Sequence, residues 1–296
     1  DSRKRGGIMK QIVMLSGKGG TGKTSITASL ARVATEPKVI VDADVDAANM
    51  AILLPGDDEQ WRPFFAGTRA VIDYEACINC MTCVWECPFK AIRESKDFRP
   101  VVDEFDCEGC GVCGQVCPTN AFSFKPHQAG TWTVRDTKWG PLVHAALNVG
   151  EDNSGKLVAQ VRQEGRAQAA KTGADYVLID GPPGIGCPVH AALGGTDLVI
   201  AVTEPGVSAQ HDLNRLLDLA GWFKIPAAII LNKADLDPKA AQNLLKTAED
   251  KGAKVVAKIP FMPEVPMALS KGIPLIEVPG MQEILGNCWQ EIKELV

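Results

Sequence analysis

A chain of 296 residues with 46% hydrophobic residues and a net charge of −5 has ample material for a packed core, and at about 150 residues per domain its length points to two units. The composition excludes a disordered or fibrous chain, and the negative balance argues against a general nucleic-acid binder. With no run of eighteen apolar residues, no membrane-spanning helix is expected.

Residues 1–8 lack the apolar centre of a signal peptide and read as a remnant ahead of a native start at Met9. Gln11–Ser16 is an apolar run that ends at Gly17-Lys18-Gly19-Gly20-Thr21-Gly22-Lys23-Thr24, which satisfies G-x-x-x-x-G-K-[ST] between a strand and the predicted helix Thr24–Val33. Gly17, Gly19, Gly20, Thr21 and Gly22 let consecutive N–H groups converge on phosphates, and the helix start through Ser25 adds positive potential. Lys23 is placed to reach the β/γ-phosphates, and Thr24 to offer its hydroxyl to Mg²⁺. A second strand, Lys38–Asp42, runs into the acids Asp42, Asp44 and Asp46.

Residues 66–130 then break the pattern with eight cysteines in two near-copies: Cys77, Cys80, Cys83, Cys87-Pro88 and Cys107, Cys110, Cys113, Cys117-Pro118. Each copy reads C-x2-C-x2-C-x3-C-P, at a constant offset of thirty residues, and Asp73 pairs with Asp103 and Ala91 with Ala121. The segment resembles bacterial two-cluster ferredoxins, in which the fourth Cys of each run ligates the other [4Fe–4S] cluster. The resemblance implies Cys77, Cys80, Cys83 and Cys117 on one cluster, with Cys107, Cys110, Cys113 and Cys87 on the other. Two structural zinc sites are the alternative, although zinc sites more often space two Cys pairs by a dozen or more residues. Residues 73–125 hold nine acids against five bases, an acidic face suited to a basic redox or metal-cofactor protein partner. Reduced, oxygen-sensitive sites imply a cytoplasmic location.

Beyond the cysteines, short β-branched runs at Tyr176–Asp180, Leu198–Thr203, Ala227–Asn232 and Lys254–Ile259 suit strands buried on both faces of a parallel sheet. Helical segments are expected at Ser154–Lys171, Ser208–Phe223, Pro238–Lys251 and Met281–Leu295. Between Trp132 and Gly155 the pattern is weak; Thr131–Arg135 reads as a strand and Glu151–Gly155 as a loop opening the next helix. The expectation is a doubly wound, mostly parallel α/β domain over 9–65 and 131–296, with an α+β ferredoxin domain inserted at 66–130. Two loops at strand ends carry further chemistry: Asp180-Gly181-Pro182-Pro183-Gly184 and Asn232-Lys233-Ala234-Asp235.

Lys18 makes the glycine loop K-G-G-x-G-K-[ST], and with both acidic loops the chain resembles the deviant P-loop ATPases of the MinD superfamily, which include MinD, ParA-like partition ATPases, Mrp-type carriers and the nitrogenase iron protein. This resemblance implies that Lys18 reaches across a nucleotide-sandwich homodimer to the partner's phosphates. It makes Lys18, Lys23 and Asp44 catalytic, Asp44 by positioning water. Asp180 and Thr24 would serve Mg²⁺, Asp42 would lie near the metal, Asp46 would be solvated, and Gly184 would let its loop respond to the γ-phosphate. Asn232 would contact adenine with Pro260 on the next loop, so ATP is favoured, although Asn232-Lys233-x-Asp235 also fits guanine readers.

Two cysteines remain. Cys187, seven residues past Asp180, sits where the nitrogenase iron protein has a cluster ligand, but lacks a second cysteine and reads as a small buried residue. Cys288 reads as core, and His190 and His211 as ordinary helix residues. The C-terminal helix carries Glu283, Glu291 and Glu294 against Lys293, which disfavours membrane docking. Three functions stay in play: an ATPase coupled to iron–sulfur electron transfer, which is favoured; a metal–sulfur cofactor assembly or carrier ATPase; and a positioning ATPase with a redox-sensing insert.

Overall fold

The computed structural model describes residues 9–151 and 154–296. The remnant read at 1–8 lies outside the described residues, as do positions 152–153 of the loop read at Glu151–Gly155. The chain divides into two compact units. One comprises residues 9–62, 132–146 and 154–296; the other, Pro63–Thr131 with Leu147–Glu151. The short second piece of the latter was not anticipated. It is tied in by Asn148, whose backbone N–H donates to Ala129 O (2.9 Å) and whose Nδ2 donates to Gln128 O (2.7 Å), and by Glu151, which meets Arg69 at 3.2 Å.

In chain order the first unit begins with β1 (Lys10–Ser16), α1 (Lys23–Val33), β2 (Lys38–Asp42), α2 (Met50–Leu53) and β3 (Gly56–Asp58). The second unit follows with β4 (Arg62–Ile72), α3 (Thr82–Glu86), β5 (Ile92–Glu94), β6 (Pro100–Val102), α4 (Val112–Val116) and β7 (Phe122–Thr137). The chain passes between units within β4, β7 and the end of β8. Then come β8 (Leu142–Leu147), α5 (Ser154–Thr172), β9 (Tyr176–Pro183), α6 (Cys187–Leu193), β10 (Leu198–Thr203), α7 (Ala209–Trp222), β11 (Ala227–Leu231), α8 (Pro238–Asp250), β12 (Lys254–Lys258), α9 (Glu264–Ser270) and α10 (Met281–Lys293).

The sheet of the first unit runs β12-β11-β10-β1-β9-β2-β8. β12–β11, β11–β10, β10–β1, β1–β9, β9–β2 and β2–β8 are all parallel. Its inner strands are fully buried over Ile12–Leu15, Val39–Val41, Val177–Ile179 and Leu198–Ala201, as a parallel sheet covered by helices on both faces requires. This is the mostly parallel doubly wound sheet the sequence implied. β8 was not foreseen: Ile40↔Leu142 and Val41↔Val143 place it beside β2. The strand expected at Thr131–Arg135 is part of the longer β7, whose end pairs antiparallel with β3 through Asp58↔Arg135. Arg135 grips Asp58 with Nε at 2.7 Å and Nη2 at 2.8 Å.

The C-terminal helix spends its apolar face inside the first unit. Met281, Leu285, Cys288, Trp289 and Ile292 are buried, while Trp289 Nε1 and Lys293 Nζ both donate to Glu36, at 2.9 and 2.7 Å. Among the described residues no helix is long and apolar enough to cross a membrane.

The second unit carries its sequence repeat into its backbone. Asn79, Met81 and Lys90 take positive φ, and so do their counterparts thirty residues on, Gly109, Gly111 and Asn120. Asp73 Oδ1 accepts from Glu75 N (2.9 Å) and Asp103 Oδ1 from Phe105 N (3.0 Å). Asp73 N donates to Ala121 O and Asp103 N to Ala91 O, each at 2.7 Å. These crossed bonds lace each half to the other.

Candidate functional site

In the first unit every functional loop follows the carboxyl end of a parallel strand, where open α/β sheets bind ligands. After β1, Gly20 and Gly22 take φ of +81° and +90°, and at Gly22 a Cβ would also lie 2.5 Å from Asn232 Nδ2. The loop therefore closes only around glycine. α1 starts at Lys23 with no side chain capping its first turn, which leaves those N–H groups able to receive an anion.

Lys23 is 5% exposed. Its Nζ lies 2.8 Å from Asp180 Oδ1 and 3.5 Å from Asp44 Oδ2. Burial opposes its charge, but the carboxylates of Asp180, Asp44 and Asp42 win and its pKa is raised. Thr24 Oγ1 donates to Asp180 Oδ2 (2.5 Å) and Thr27 Oγ1 to Asp180 Oδ1 (3.1 Å). Asp42 is also enclosed, accepting from Asp44 N (3.2 Å) and Met50 N (3.1 Å); burial first, then the Asp180 charge, pushes its pKa up to about 7. Asp44 is raised as well, chiefly by burial. Asp46 is exposed. Asp180 and the Thr24 hydroxyl thus place two hard oxygen donors side by side, a pair that fits Mg²⁺ keeping several waters.

Lys18 lies 3.2 Å from Glu204 Oε1, and Lys233 lies 2.6 Å from the other oxygen of the same carboxylate. Sequence reasoning passed over Glu204; its position just past β10, at a strand's carboxyl end, was the available signal. Gly20, Gly22, Ser25, Asn232, Pro260 and Leu269 are among the residues around a mostly apolar cleft. Asn232 Nδ2 donates to Thr21 O (2.8 Å) and its Oδ1 accepts from Lys233 N (3.0 Å), so this side chain buckles the glycine loop to β11. Asp235 accepts from Phe261 N (2.6 Å) and is not among the residues lining the cleft.

Gly184 has φ +86° and donates its N–H to Ser16 O (2.8 Å). Cys187 corrects the sequence reading: it is exposed, not buried, because it opens α6 with its neighbours Gly186 and Pro188. Cys288 is fully buried. His190 on α6 packs in a T-shaped arrangement with Phe223, ring centroids 5.8 Å apart, and His211 lies on α7.

In the second unit the eight cysteines frame two cavities. Cys77, Cys80, Cys83 and Cys117 line one; Cys107, Cys110, Cys113 and Cys87 line the other. Each cavity takes three cysteines from one run and the fourth from the other. Among the described residues no three His, Cys, Asp or Glu side chains converge on a point that could hold a single metal ion. Thiols spread around a cavity fit a polynuclear cluster better than one tetrahedral zinc. At Gly109 a Cβ would lie 2.2 Å from Thr68 O, so the second cradle closes against backbone. Burial pushes the Cys113 thiol up to about 11, and a metal would have to displace that proton.

Comparison with known proteins bears on both units. An uncharacterized protein of Methanocaldococcus jannaschii is 30% identical over 98% of this chain and 99% of its own length. A stretch of 63 residues, 21% of this chain, is 36% identical to pyruvate synthase subunit PorD of the same organism and spans 69% of that subunit. The septum site-determining protein MinD of Pyrococcus horikoshii, solved with Mg-ADP, superposes with a TM-score of 0.55, covering 97% of each chain at 18% identity; at that identity the likeness is one of fold. Residues 12–275 match the CobQ/CobB/MinD/ParA nucleotide binding domain, and the chain belongs to that family.

Proposed function

We propose that the chain binds and hydrolyses Mg-ATP in its first unit, carries two [4Fe–4S] clusters in its second, and couples nucleotide state to electron transfer. The observation that carries the reading is the pair of four-cysteine cavities, each assembled across both runs, in a chain that also folds a complete phosphate loop. In this reading Gly17 to Gly22 and the start of α1 bind phosphate, and Lys23 leaves Asp180 to meet the β/γ-phosphates. Thr24 and Asp180 then serve Mg²⁺, and Asp44 orients the attacking water. The cleft beside Asn232 and Pro260 receives the base. Adenine is favoured over guanine because Asp235, the acid a guanine would need, is engaged by the Phe261 N–H. Lys18 would exchange Glu204 for the phosphates of a second copy, making the active form a homodimer. The clusters supply one-electron redox capacity; the protein's share is to hold them and to offer an acidic surface to a redox partner.

Anaerobically prepared protein tests this directly. About eight iron and about eight sulfide per chain are expected, with Mg-dependent ATP hydrolysis lost in Lys23→Ala and a cluster potential that moves when Mg-ATP binds. Full cluster content with potentials indifferent to nucleotide would remove the coupling, and absence of iron would remove the ferredoxin reading.

A further inference from the structure

The two cysteine cavities share a backbone but not a lining. At the first, Thr82 Oγ1 donates to Cys80 Sγ (3.4 Å) and Thr119 Oγ1 lies 3.7 Å from Cys117 Sγ, which also accepts from Ala121 N (3.2 Å). Both threonines line that cavity. Thirty residues away the equivalent positions are Val112 and Phe89, both lining the second cavity. There, neither side chain has a donor. A third exchange acts in the same direction: Ile78 lines the first cavity, and its counterpart lining the second is Glu108. Exposure agrees too, since Cys77 is half-buried whereas its counterpart Cys107 is buried.

Hydrogen bonds to ligand sulfur, solvent access and local charge are what set the potential of such a group. Donors and water stabilise the added negative charge of the reduced form; a carboxylate and an apolar wall oppose it. The threonine donors, the glutamate and the burial of Cys107 favour reduction at the first site, against one opposing contact there, Asn79 Oδ1 at 3.6 Å from Cys77 Sγ. Resting on the reading that both cavities hold [4Fe–4S] clusters, we propose that the two sites are deliberately unequal. Thr82 and Thr119 make the site of Cys77, Cys80, Cys83 and Cys117 the higher-potential one, where a single electron comes to rest. Val112, Phe89 and Glu108 keep the site of Cys107, Cys110, Cys113 and Cys87 lower. An electron arriving from a one-electron donor at either site is then held at the first, one cluster losing and the other gaining it, with no proton or further reactant required. A second electron must be driven onto the lower site, which gives the unit a direction.

The test is a potentiometric titration of the full chain followed by electron paramagnetic resonance, after iron and sulfide analysis has established two clusters. Two reduction waves are expected, separated by at least a tenfold preference, or about 59 mV for a one-electron couple. Thr82→Val with Thr119→Val should lower the upper wave, shrinking the preference to less than about threefold, and leave the lower wave in place. Val112→Thr should raise the lower wave alone, and it serves as an independent arm if the double variant fails to assemble. Coincident waves in the parent protein, or movement of the lower wave in the double variant, would overturn the assignment. A chain lacking one cluster altogether would instead sink the reading on which it rests.

Discussion

Replacing Asp42 by Asn isolates the electrostatic load in the candidate nucleotide site. Asp42 is 1% exposed and its carboxyl is raised from 3.8 to about 7 by burial and by Asp180. Lys23 Nζ lies 2.8 Å from Asp180 Oδ1, and Asp42 is the carboxyl raised to about 7, so Asp42 is the group that takes up a proton near neutral pH. A raised carboxyl costs stability above its folded pKa, and the cost fades as the pH falls toward the unfolded value. Three pKa units correspond to about 4 kcal/mol at pH 8, as a ceiling, and about 2 kcal/mol at pH 5.5. Asparagine removes that cost but can accept only one of the two N–H bonds from Asp44 and Met50, a loss of about 1–2 kcal/mol. In nucleotide-free, Mg-free protein, Asp42→Asn should therefore be more stable than the parent at pH 8 by about 2 kcal/mol and nearly equal to it at pH 5.5. Urea unfolding at the two pH values reads the difference. Mg-nucleotide should shrink it, because added positive charge stabilises the Asp42 carboxylate. A variant equally destabilised at both pH values would show that Asp42 is not the proton-taking group.

Glu36 is held down at about 2 because bonds from Lys293 and Trp289 outweigh its burial. Its stabilisation is present above pH 4.5 and lost as the pH falls toward 2. Glu36→Gln should accordingly cost about 1–3 kcal/mol at neutral pH and nothing near pH 2 in denaturant titrations. Gly109→Ala meets Thr68 backbone at 2.2 Å from a φ of +63°; iron content should fall from about eight toward about four per chain, with the second site lost. Glu204→Gln releases Lys18 from a pair whose lysine is 41% exposed and so is worth no more than about 1 kcal/mol. ATP-dependent self-association, read by sedimentation, should tighten by up to about fivefold; weaker association would mean that Glu204 supports the assembled form.

What the sequence made legible was chemistry set by spacing. The interval between Gly17 and Lys23 leaves room for one phosphate-binding turn, and four cysteine intervals repeated at an offset of thirty leave few ways to arrange eight thiols. Buried strands such as Ile12–Leu15 and Leu198–Ala201 also read directly, because a parallel strand covered on both faces must be apolar throughout. β8 escaped because His144 breaks the apolar run of Leu142–Leu147 and Gly140-Pro141 reads as a turn. Pairing with β7 on one side and β2 on the other makes it a strand, and β2 lies about a hundred residues upstream. Cys187 was misread for a related reason: small size predicts burial on average, but Gly186 and Pro188 commit it to the exposed start of a helix.

Residue identity could be read where a motif demands it, but not where two distant groups share one partner. Glu204 is one carboxylate between Lys18 and Lys233, and neither spacing nor composition couples three residues spread over more than two hundred positions. The same holds inside the cysteine repeat. A near-duplicate invites the inference that its halves are interchangeable, because positions that fix the backbone are kept: the aspartates at 73 and 103, the alanines at 91 and 121, the cysteines. Positions that do not fix the backbone are free to diverge, and there Thr82 corresponds to Val112, Thr119 to Phe89 and Ile78 to Glu108. Backbone constraint therefore accounts for the resemblance of the two halves, and its absence at those three pairs leaves room for a difference in potential.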